Sequence, residues 1–402
     1  MSESEEHVAL CALNKIFGYH PILALKLMAA RGGAMAVLEG PPPELREHPE
    51  LAAQVGPDVL AWARGELGRV EAGGFRFVGF FDDDYPDPLR QCEDPPLGLY
   101  LNGCTSAAEI FGLRPLIGFV GTRDLSPYGR EWCRKLVSAL AEAPIQPCIV
   151  SGMAFGADGI AHQTALDCGL TTVGVLPTGI DRIYPWQHEQ LARDIVGRPG
   201  CGLVTDYPMG TAPVQLNFLR RNRIIAGLVR AVVVVESRTR GGSLMTAKYA
   251  CNYSRDVFAV PGRLDDIRSA GCNSLISSQM AQIVTTPEEL VGQLGLGGRI
   301  RGAGGSWRHP AGTLSGPFPV SDPAGPEQDL LRAALERKFG AGSALVDVGL
   351  AVRENRGATV EQLAGLLGRP YQDVLAHMGI LEANGIVSTD IQRRCALTAA
   401  WA

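Results

Sequence analysis

The fold is decided by the stretch Leu116-Ile117-Gly118-Phe119-Val120-Gly121-Thr122-Arg123, in which an apolar run passes directly into a short loop ending in arginine. Further apolar runs follow, separated by segments with helical spacing, and they begin near residues 148, 172, 202, 231, 257 and 282. Near-continuous apolar runs that alternate with helices are typical of parallel strands buried on both faces. The sequence therefore predicts an α/β fold over residues 115–292, an extended Rossmann-like domain with a doubly wound, mostly parallel sheet.

Shorter segments flank this domain. Apolar residues at helical spacing predict a small helical domain of the SAM or helix-hairpin kind over residues 1–70. Residues 71–114 are interpreted as a connector with one or two short strands that packs on the Rossmann-like domain. Residues 295–326 contain 9 Gly and 5 Pro in 32 positions, which predicts a flexible Gly/Pro-rich linker over residues 293–326.

The last segment, residues 327–402, is predicted to form a small C-terminal domain. Thr359 is a plausible N-cap for a helix over residues 360–367, and a second helix is expected over residues 371–383. Two short apolar runs after Gly385 then suggest a β-ribbon. Helix, turn, helix and ribbon form a winged-helix-like pattern, although ordinary three-helix packing produces nearly the same spacing.

Charge is unevenly distributed along the chain, whose net charge is −5. Residues 1–116 contain 9 basic and 17 acidic side chains, whereas residues 117–290 contain 17 and 15. An anion-binding site is therefore expected in the middle domain. No two of the 10 cysteines lie within four positions of each other, which favours reduced, buried thiols in a cytoplasmic protein. No export signal or membrane span is visible in the sequence.

Two loops at strand ends are predicted to bind an anion. Arg123 follows the first strand, at the edge of the sheet where α/β folds bind ligands, and its guanidinium can fork onto a phosphate. The tripeptide taken alone fits an ordinary surface arginine after a strand better. The second strand ends in the glycine-rich segment 151–162, where backbone amides at a helix N-terminus bind anions. Asp158 is assigned a role in capping its own helix. His162 is interpreted as a packed histidine, so a hydrolytic pair with Ser151 is a minority hypothesis.

Three further segments are predicted to reach the same sheet edge. The loop after the third strand contains Arg182 and Trp186, and the tryptophan fits two hypotheses equally well, base stacking or packing in the core. Arg221 and Arg223 lie about 200° apart on a helix, so Asn222 is predicted to cap that helix, with Arg223 structural or pocket-lining. A last loop opens a helix near Gly242. A solvated, salt-bridged rim is the alternative to a binding site.

Several catalytic classes lack their motifs in this sequence. There is no GxxxxGK[ST] segment, no GxGxxG with a downstream acid, no HExxH and no Cys/His cluster. Neither a cofactor nor a metal is predicted.

These motifs together resemble the DNA-processing protein A (DprA/Smf) family. The matching segments, in chain order, are Asp84-Tyr85-Pro86, Asp94-Pro95-Pro96, Gly121-Thr122-Arg123, Ser151-Gly152 through Ala161-His162, Tyr184-Pro185, Arg221-Asn222-Arg223-Ile224-Ile225, Gly242-Ser243-Leu244 and Val260-Pro261-Gly262. The resemblance implies a non-catalytic single-stranded DNA-binding protein, working as a homodimer, that protects incoming DNA and loads the RecA recombinase in natural transformation. The expected DNA- or phosphate-binding residues are Gly121, Thr122, Arg123, Ser151, Gly152, Gly156, Arg182, Trp186, Arg221, Asn222, Arg223, Gly242 and Ser243.

The chain departs from the family pattern at four positions, which are Ala157, Trp186, Leu219 and Gly241. Trp186 stands where many relatives have a basic residue, which weakens the expectation of a phosphate contact there. Two alternative functions are a nucleoside monophosphate hydrolase of the lysine-decarboxylase-like group and a nucleotide sensor. The PGGxGTxxE motif of that hydrolase group is missing, since Arg263-Leu264-Asp265 follows Pro261-Gly262.

Overall fold

The computed structural model describes residues 3–297, 332, 335–340, 342–355, 358–383, 386–389 and 395–397. The chain divides into two compact units, Met1–Ala303 and Gly304–Ala402. Among the residues described, no helix combines the length and apolar composition needed to cross a lipid bilayer.

The first unit begins with short helices. They are α1 (Glu3–Phe17), α2 (Pro21–Arg31), α3 (Ala34–Leu38), α4 (Pro49–Ala52) and α5 (Pro57–Ala72), with a 3-10 turn at Pro43–Glu47. Gly32 ends α2 in the left-handed conformation, with φ of 84°, which glycine adopts at little cost. The Glu6 carboxylate then accepts hydrogen bonds from the backbone N–H groups of Ala34 at 2.6 Å and Met35 at 3.4 Å. Glu6 thereby satisfies the free amides at the start of α3.

A sheet of nine strands, counted over the described residues, forms the centre of this unit. The strands are β1 (Arg76–Gly79), β2 (Gly98–Asn102), β3 (Leu116–Val120), β4 (Cys148–Gly152), β5 (Thr171–Val175), β6 (Gly202–Thr205), β7 (Ala231–Val234), β8 (Asp256–Ala259) and β9 (Gln282–Ile283). Their order is β1-β2-β6-β5-β4-β3-β7-β8-β9, and all pairs are parallel except β1 with β2 and β2 with β6. The predicted doubly wound, mostly parallel α/β fold is confirmed.

Helices connect the strands and cover both faces of the sheet. They are α6 (Asp87–Arg90), α7 (Ala107–Gly112), α8 (Pro127–Glu142), α9 (Ala157–Asp167), α10 (Glu189–Val196), α11 (Gln215–Leu228), α12 (Gly242–Asn252), α13 (Ala270–Ser277) and α14 (Pro287–Gln293). Side chains alternate along β3, so Ile117 and Phe119 join one buried cluster while Leu116 and Val120 join another. This two-faced burial explains why the strand sequence is apolar at nearly every position.

The N-terminal helices pack directly on the sheet domain. Residues of α1 share a buried cluster with Met153 and Leu203 of the sheet region. The Asn14 amide donates to the backbone carbonyl of Asp206 at 2.8 Å, and the buried Glu66 carboxylate accepts from the Met209 N–H at 2.7 Å. These contacts hold the loop after β6, which leads along the chain to α11. The domain boundaries taken from the sequence remain a prediction.

The described residues of the second unit include helical residues at 335–339, three helices with defined bounds and a ribbon. The helices with defined bounds are α15 (Ala344–Glu354), α16 (Val360–Leu367) and α17 (Tyr371–Ala383), and the ribbon consists of the antiparallel strands β10 (Val387–Thr389) and β11 (Cys395–Leu397). Thr359 caps α16 in a capping box with Gln362, as the sequence predicts. The winged-helix assignment and the predicted linker, which lies outside the described residues from 298 onward, both stay predictions.

The cysteines match the sequence-based prediction in part. None forms a disulfide within the described residues, and Cys11, Cys133, Cys148, Cys201, Cys272 and Cys395 are buried. Cys104 and Cys168 are exposed, so the expectation of buried thiols is wrong for these two.

Candidate nucleic-acid interface

An open cleft of about 900 Å³ lies at the carboxyl end of β3. Most of its lining residues come from three segments, namely Val120–Arg123 after β3, the stretch around the start of α12 between residues 238 and 246, and one side of α11 from Gln215 to Ile225. Ala154, Asp158, Tyr184, Pro213 and Ile267 complete the lining. In the strand order, β3 has β4 on one side and β7 on the other, so the chain changes direction across the sheet here. Ligands of doubly wound sheets bind at such a switch point.

The rim of this cleft holds unpaired positive charge. Arg123, Arg238 and Arg240 line the cleft and are exposed. Within the part of the chain that the structure describes, none of the three forms an ion pair. The Arg123 guanidinium carbon lies 4.9 Å from the centre of the Phe218 ring. The ring supports the guanidinium in a cation–π contact and leaves its N–H donors available for an anion.

Phe218 is a cleft residue that the sequence analysis missed. Tyr184 also lines the cleft, and its ring meets that of Phe218 edge-to-face at 5.5 Å. The two rings and Arg123 together present π-faces beside unpaired donors, which is the combination that binds bases and phosphates. The available signal was the position of Phe218 three residues before Arg221, which places both on one side of a helix.

Arg221 forms the floor of the cleft and is buried. Its Nη1 donates to the Val175 carbonyl, while its Nε has no hydrogen-bond partner among the described residues. Burial lowers the pKa of Arg221 and raises the pKa of Asp158, although each charge opposes the shift of the other. A Cβ atom at Gly152 would collide with both side chains, so this glycine is needed for their close approach.

Asn222 and Arg223 differ from their predicted roles in part. Helix α11 begins at Gln215, so Asn222 lies in the middle of the helix and the prediction that it caps the helix is wrong. Its side chain lines the cleft, and Nδ2 donates to the Gly242 carbonyl at 3.3 Å. Arg223 points away from the cleft and donates from Nη2 to the Asp206 carboxylate at 2.8 Å. Arg223 is therefore structural, which is one of the two roles predicted for it.

The glycine-rich loop after β4 packs against β3 and against the loop that carries Thr122 and Arg123. Ser151 is buried, and its hydroxyl donates to the Phe119 carbonyl at 2.5 Å. Gly156 has φ of 77° and no room for a Cβ, which would lie within 3.0 Å of the carbonyl oxygens of Thr122 and Arg123. Neither Ser151, Gly152 nor Gly156 is among the residues that line the cleft.

Asp158 does not cap α9, contrary to the prediction. The helix begins at Ala157, and the Asp158 carboxylate accepts from the N–H of Ala154 in the preceding loop at 3.3 Å. The aspartate is held there because it faces the Arg221 guanidinium across Gly152.

His162 is a packed histidine, as predicted. Nε2 donates to the Gly152 carbonyl at 2.7 Å, and Nδ1 lies 2.7 Å from the Thr172 hydroxyl. Burial lowers the pKa of His162 to about 4, so the ring is neutral at pH 7. Because Ser151 and His162 are both occupied elsewhere, they do not form a nucleophile and base.

Arg182 and Trp186 are exposed but do not line the cleft. Trp186 is 73% exposed, which rules out the hypothesis that its indole packs in the core. It lies two residues after Tyr184, on the same loop, and is accessible to a ligand that extends beyond the cleft.

Gly242 and Ser243 begin α12 beside the arginine loop. Both line the cleft, and the Ser243 hydroxyl donates to the Ser237 hydroxyl at 2.9 Å. The side chain of Ser243 thus holds the loop together, and the Leu244 N–H donates to the Gly241 carbonyl at 3.1 Å in the first turn of α12.

These features define the protein as an α/β protein with a doubly wound sheet and a cleft at its switch point that is lined by arginines and aromatic rings. More specifically, residues 76–295 match the family model of DNA recombination-mediator protein A, and the chain belongs to this family.

Curated relatives and a solved structure agree with this assignment. Protein Smf of Synechocystis is 41% identical over 53% of this chain and 52% of its own length. DNA processing protein DprA of Streptococcus pneumoniae is 36% identical over 54% of this chain and 74% of its own. The X-ray structure of DprA from Streptococcus pneumoniae superposes on this chain with a TM-score of 0.52 and 32% sequence identity. The superposition covers 61% of this chain and 85% of the chain in that structure. The chain thus spans only about half the length of the first of these relatives.

Proposed function

We propose that this protein binds single-stranded DNA without catalysis, protects incoming DNA and loads the RecA recombinase during natural transformation or recombination. Membership of the recombination-mediator family supports a role in recombination. The observation that carries the proposal is the set of exposed arginines, Arg123, Arg238 and Arg240, which have no ion-pair partner in the described residues and surround one cleft.

The cleft suits a single strand better than a duplex. Phosphates have three exposed guanidinium groups to bind, and unpaired bases have the rings of Phe218 and Tyr184 to stack on. Bases in a duplex present only their edges, so they cannot stack on these rings. Binding of this kind has little sequence dependence, because every base has a π-face.

The alternative, a nucleotide-hydrolysing enzyme, lacks a suitably placed base. Asp158 is the one carboxylate among the described residues that line the cleft, and it faces Arg221. The Glu236 carboxylate is buried and accepts from the N–H and hydroxyl of Ser126 at 2.9 and 2.7 Å. Such a carboxylate supports the start of α8 and is not available to activate water.

RecA, and a second copy of this chain, are proposed as partners on the basis of the family resemblance. A recombinase loader must hold DNA while leaving the strand accessible, and an open cleft on a sheet edge meets this need. The protein is proposed to act in the cytoplasm, where the recombinase and the incoming strand meet.

The test is a titration against single-stranded and duplex oligonucleotides of equal length at several salt concentrations. We expect at least about tenfold tighter binding of the single strand and a decrease of affinity with salt of roughly 0.7 log units per log unit for each phosphate contact. Equal affinity for duplex, or affinity that is independent of salt, would contradict the proposal. Incubation with nucleoside monophosphates is the companion measurement, in which release of free base would establish the hydrolase instead.

A further inference from the structure

A second, smaller cleft lies between the N-terminal helices and α11. Its volume is about 350 Å³, and it is lined by Tyr19, His20, Lys26, His48, Asp94 and Arg220, together with apolar residues of α2. Four of these side chains are basic or become so on protonation, and one is acidic. The Asp94 carboxylate accepts from the Tyr253 hydroxyl and lies 3.8 Å from Arg223 Nη1, a guanidinium that it shares with Asp206.

The lysine and the arginine of this cleft have no ion-pair partner among the described residues. In the described part of the chain, neither Lys26 nor Arg220 forms an ion pair. Arg220 is half-buried, lies 3.9 Å from the centre of the Tyr19 ring and donates from Nη2 to the Gly18 carbonyl at 3.4 Å. An arginine that is partly desolvated and paired only with a ring and a carbonyl favours an anion beside it.

The two clefts lie on opposite sides of the first half of α11. Phe218, Leu219 and Arg221 line the first cleft, whereas Arg220 lines the second. The Tyr19 hydroxyl donates to Asn217 Oδ1 at 3.0 Å, which ties the second cleft to the same helical turn. One helix, roughly 10 Å across, therefore separates the two clefts.

We propose that single-stranded DNA leaves the first cleft, crosses the N-terminal half of α11 and places a further phosphate and base in the second cleft. Lys26 and Arg220 would bind the phosphate. The Tyr19 ring, which is 42% exposed, would face the base. This inference rests on the proposed function, because it assigns the second cleft to the strand that the first one binds.

The chemistry of the second cleft favours this ligand over a free nucleotide. The cleft is shallow, and its cations lie next to the first anion-binding site. A continuous polyanion gains binding free energy from the cations of both clefts, because its contact with the second cleft is intramolecular once the first cleft is occupied. An isolated mononucleotide can contact the cations of only one cleft at a time.

The test compares oligothymidylates of about 4 and about 16 nucleotides, which span the range of lengths that single-strand-binding grooves engage. Lys26→Ala removes an exposed charge and is not expected to perturb folding. We expect it to weaken binding of the 16-mer by about fivefold and to reduce the salt dependence by about 0.7 per lost contact, with little change for the 4-mer. Arg220→Gln should act in the same way if its melting temperature matches that of the wild type.

Arg134→Ala is the matched control. Arg134 is an exposed arginine on α8 that lines neither cleft, so its removal changes the net charge equally but should leave both oligonucleotides unaffected. Wild-type affinity of Lys26→Ala for the 16-mer, or equal losses on both lengths, would overturn the proposal. Failure of the wild type to bind either oligonucleotide would instead overturn the proposed function.

Photo-crosslinking gives a second readout that does not depend on affinity. A 16-mer with 5-iodouracil distributed along its length should crosslink to Tyr19 as well as to the rings of the first cleft. Crosslinks confined to Phe218, Tyr184 and Trp186 at saturation would show that the strand does not reach the second cleft.

Discussion

At the scale of single residues, the arginines of this protein have different roles because their burial differs. Arg123 is exposed and supported only by the Phe218 ring, so its charge is available to a ligand. Arg223 is buried and bound to Asp206, so its charge stabilises the fold and is not available to a ligand. Removing one partner of such a buried pair leaves an uncompensated charge, which costs about 3 to 5 kcal/mol.

Trp186 is expected to bind DNA by base stacking. Its indole is 73% exposed, so Trp186→Ala should weaken single-stranded DNA binding without lowering the melting temperature. One stacked base contributes about 1 to 3 kcal/mol, which corresponds to roughly five- to a hundredfold in affinity. Trp186→Phe should retain most of the binding, and Trp186→Lys should restore affinity with a steeper salt dependence.

Fluorescence gives the direct measurement for this residue. A variant that retains only Trp186 of the five tryptophans should be quenched when single-stranded DNA is added. An unchanged spectrum at saturation, with normal affinity of Trp186→Ala, would place this side chain outside the interface.

At the scale of elements, the geometry of α11 gives neighbouring arginines of one helix different surroundings. Successive residues differ by about 100°, so Arg220, Arg221 and Arg223 point toward the second cleft, the floor of the first cleft and the core, respectively.

Helix α9 is tied to β4 and β5 through His162, and this contact predicts a dependence of stability on pH. The folded-state pKa of about 4 lies below the usual value of 6.5, so the unfolded chain takes up a proton that the folded chain excludes. Stability is therefore full above pH 6.5 and falls as the pH is lowered toward 4. Between pH 7 and pH 5 the loss should be about 2 kcal/mol.

Denaturant unfolding at several pH values checks this prediction, with His162→Gln as the control. Glutamine keeps a donor and an acceptor but does not titrate in this range, so the variant should lack this part of the pH dependence. Parallel pH profiles for the two proteins would show that His162 does not contribute.

At the scale of the whole molecule, the proposed DNA site belongs to the first unit alone. Arg123→Ala should therefore weaken single-stranded DNA binding more than removal of residues 327–402 does. A charge-assisted contact contributes roughly 1.5 to 3 kcal/mol, which corresponds to about ten- to a hundredfold in affinity. Binding titrations of the two variants give the comparison, and Arg134→Ala is the control for the lost charge. If the truncated chain loses binding while Arg123→Ala keeps it, the site lies in the second unit.

The N-terminal helices are part of the same body as the proposed site. Asn14 and Glu66 hold the loop after β6 through buried hydrogen bonds, and Tyr19 contacts Asn217 at the start of α11. The first unit is thus held together by polar contacts across its segments as well as by its apolar core.

The sequence by itself determined the parallel strands of the sheet, the helices α16 and α17 of the second unit and the place of Arg123. Buried parallel strands require apolar residues on both faces, and a strand end carries its loop to the ligand-binding edge, so local patterns suffice. Likewise, seven of the residues predicted for the site line the cleft, namely Gly121, Thr122, Arg123, Arg221, Asn222, Gly242 and Ser243.

Only the tertiary structure decided which way the side chains of α11 point. The helix begins after Val214, whose side chain provides no cap, so the sequence contains no local mark from which its rotation follows. The burial of Arg223 depends on Asp94 and Asp206, and the second cleft depends on α2 and α11 meeting nearly two hundred positions apart. Burial and pairing of charges are set by such distant contacts, which local sequence patterns do not encode.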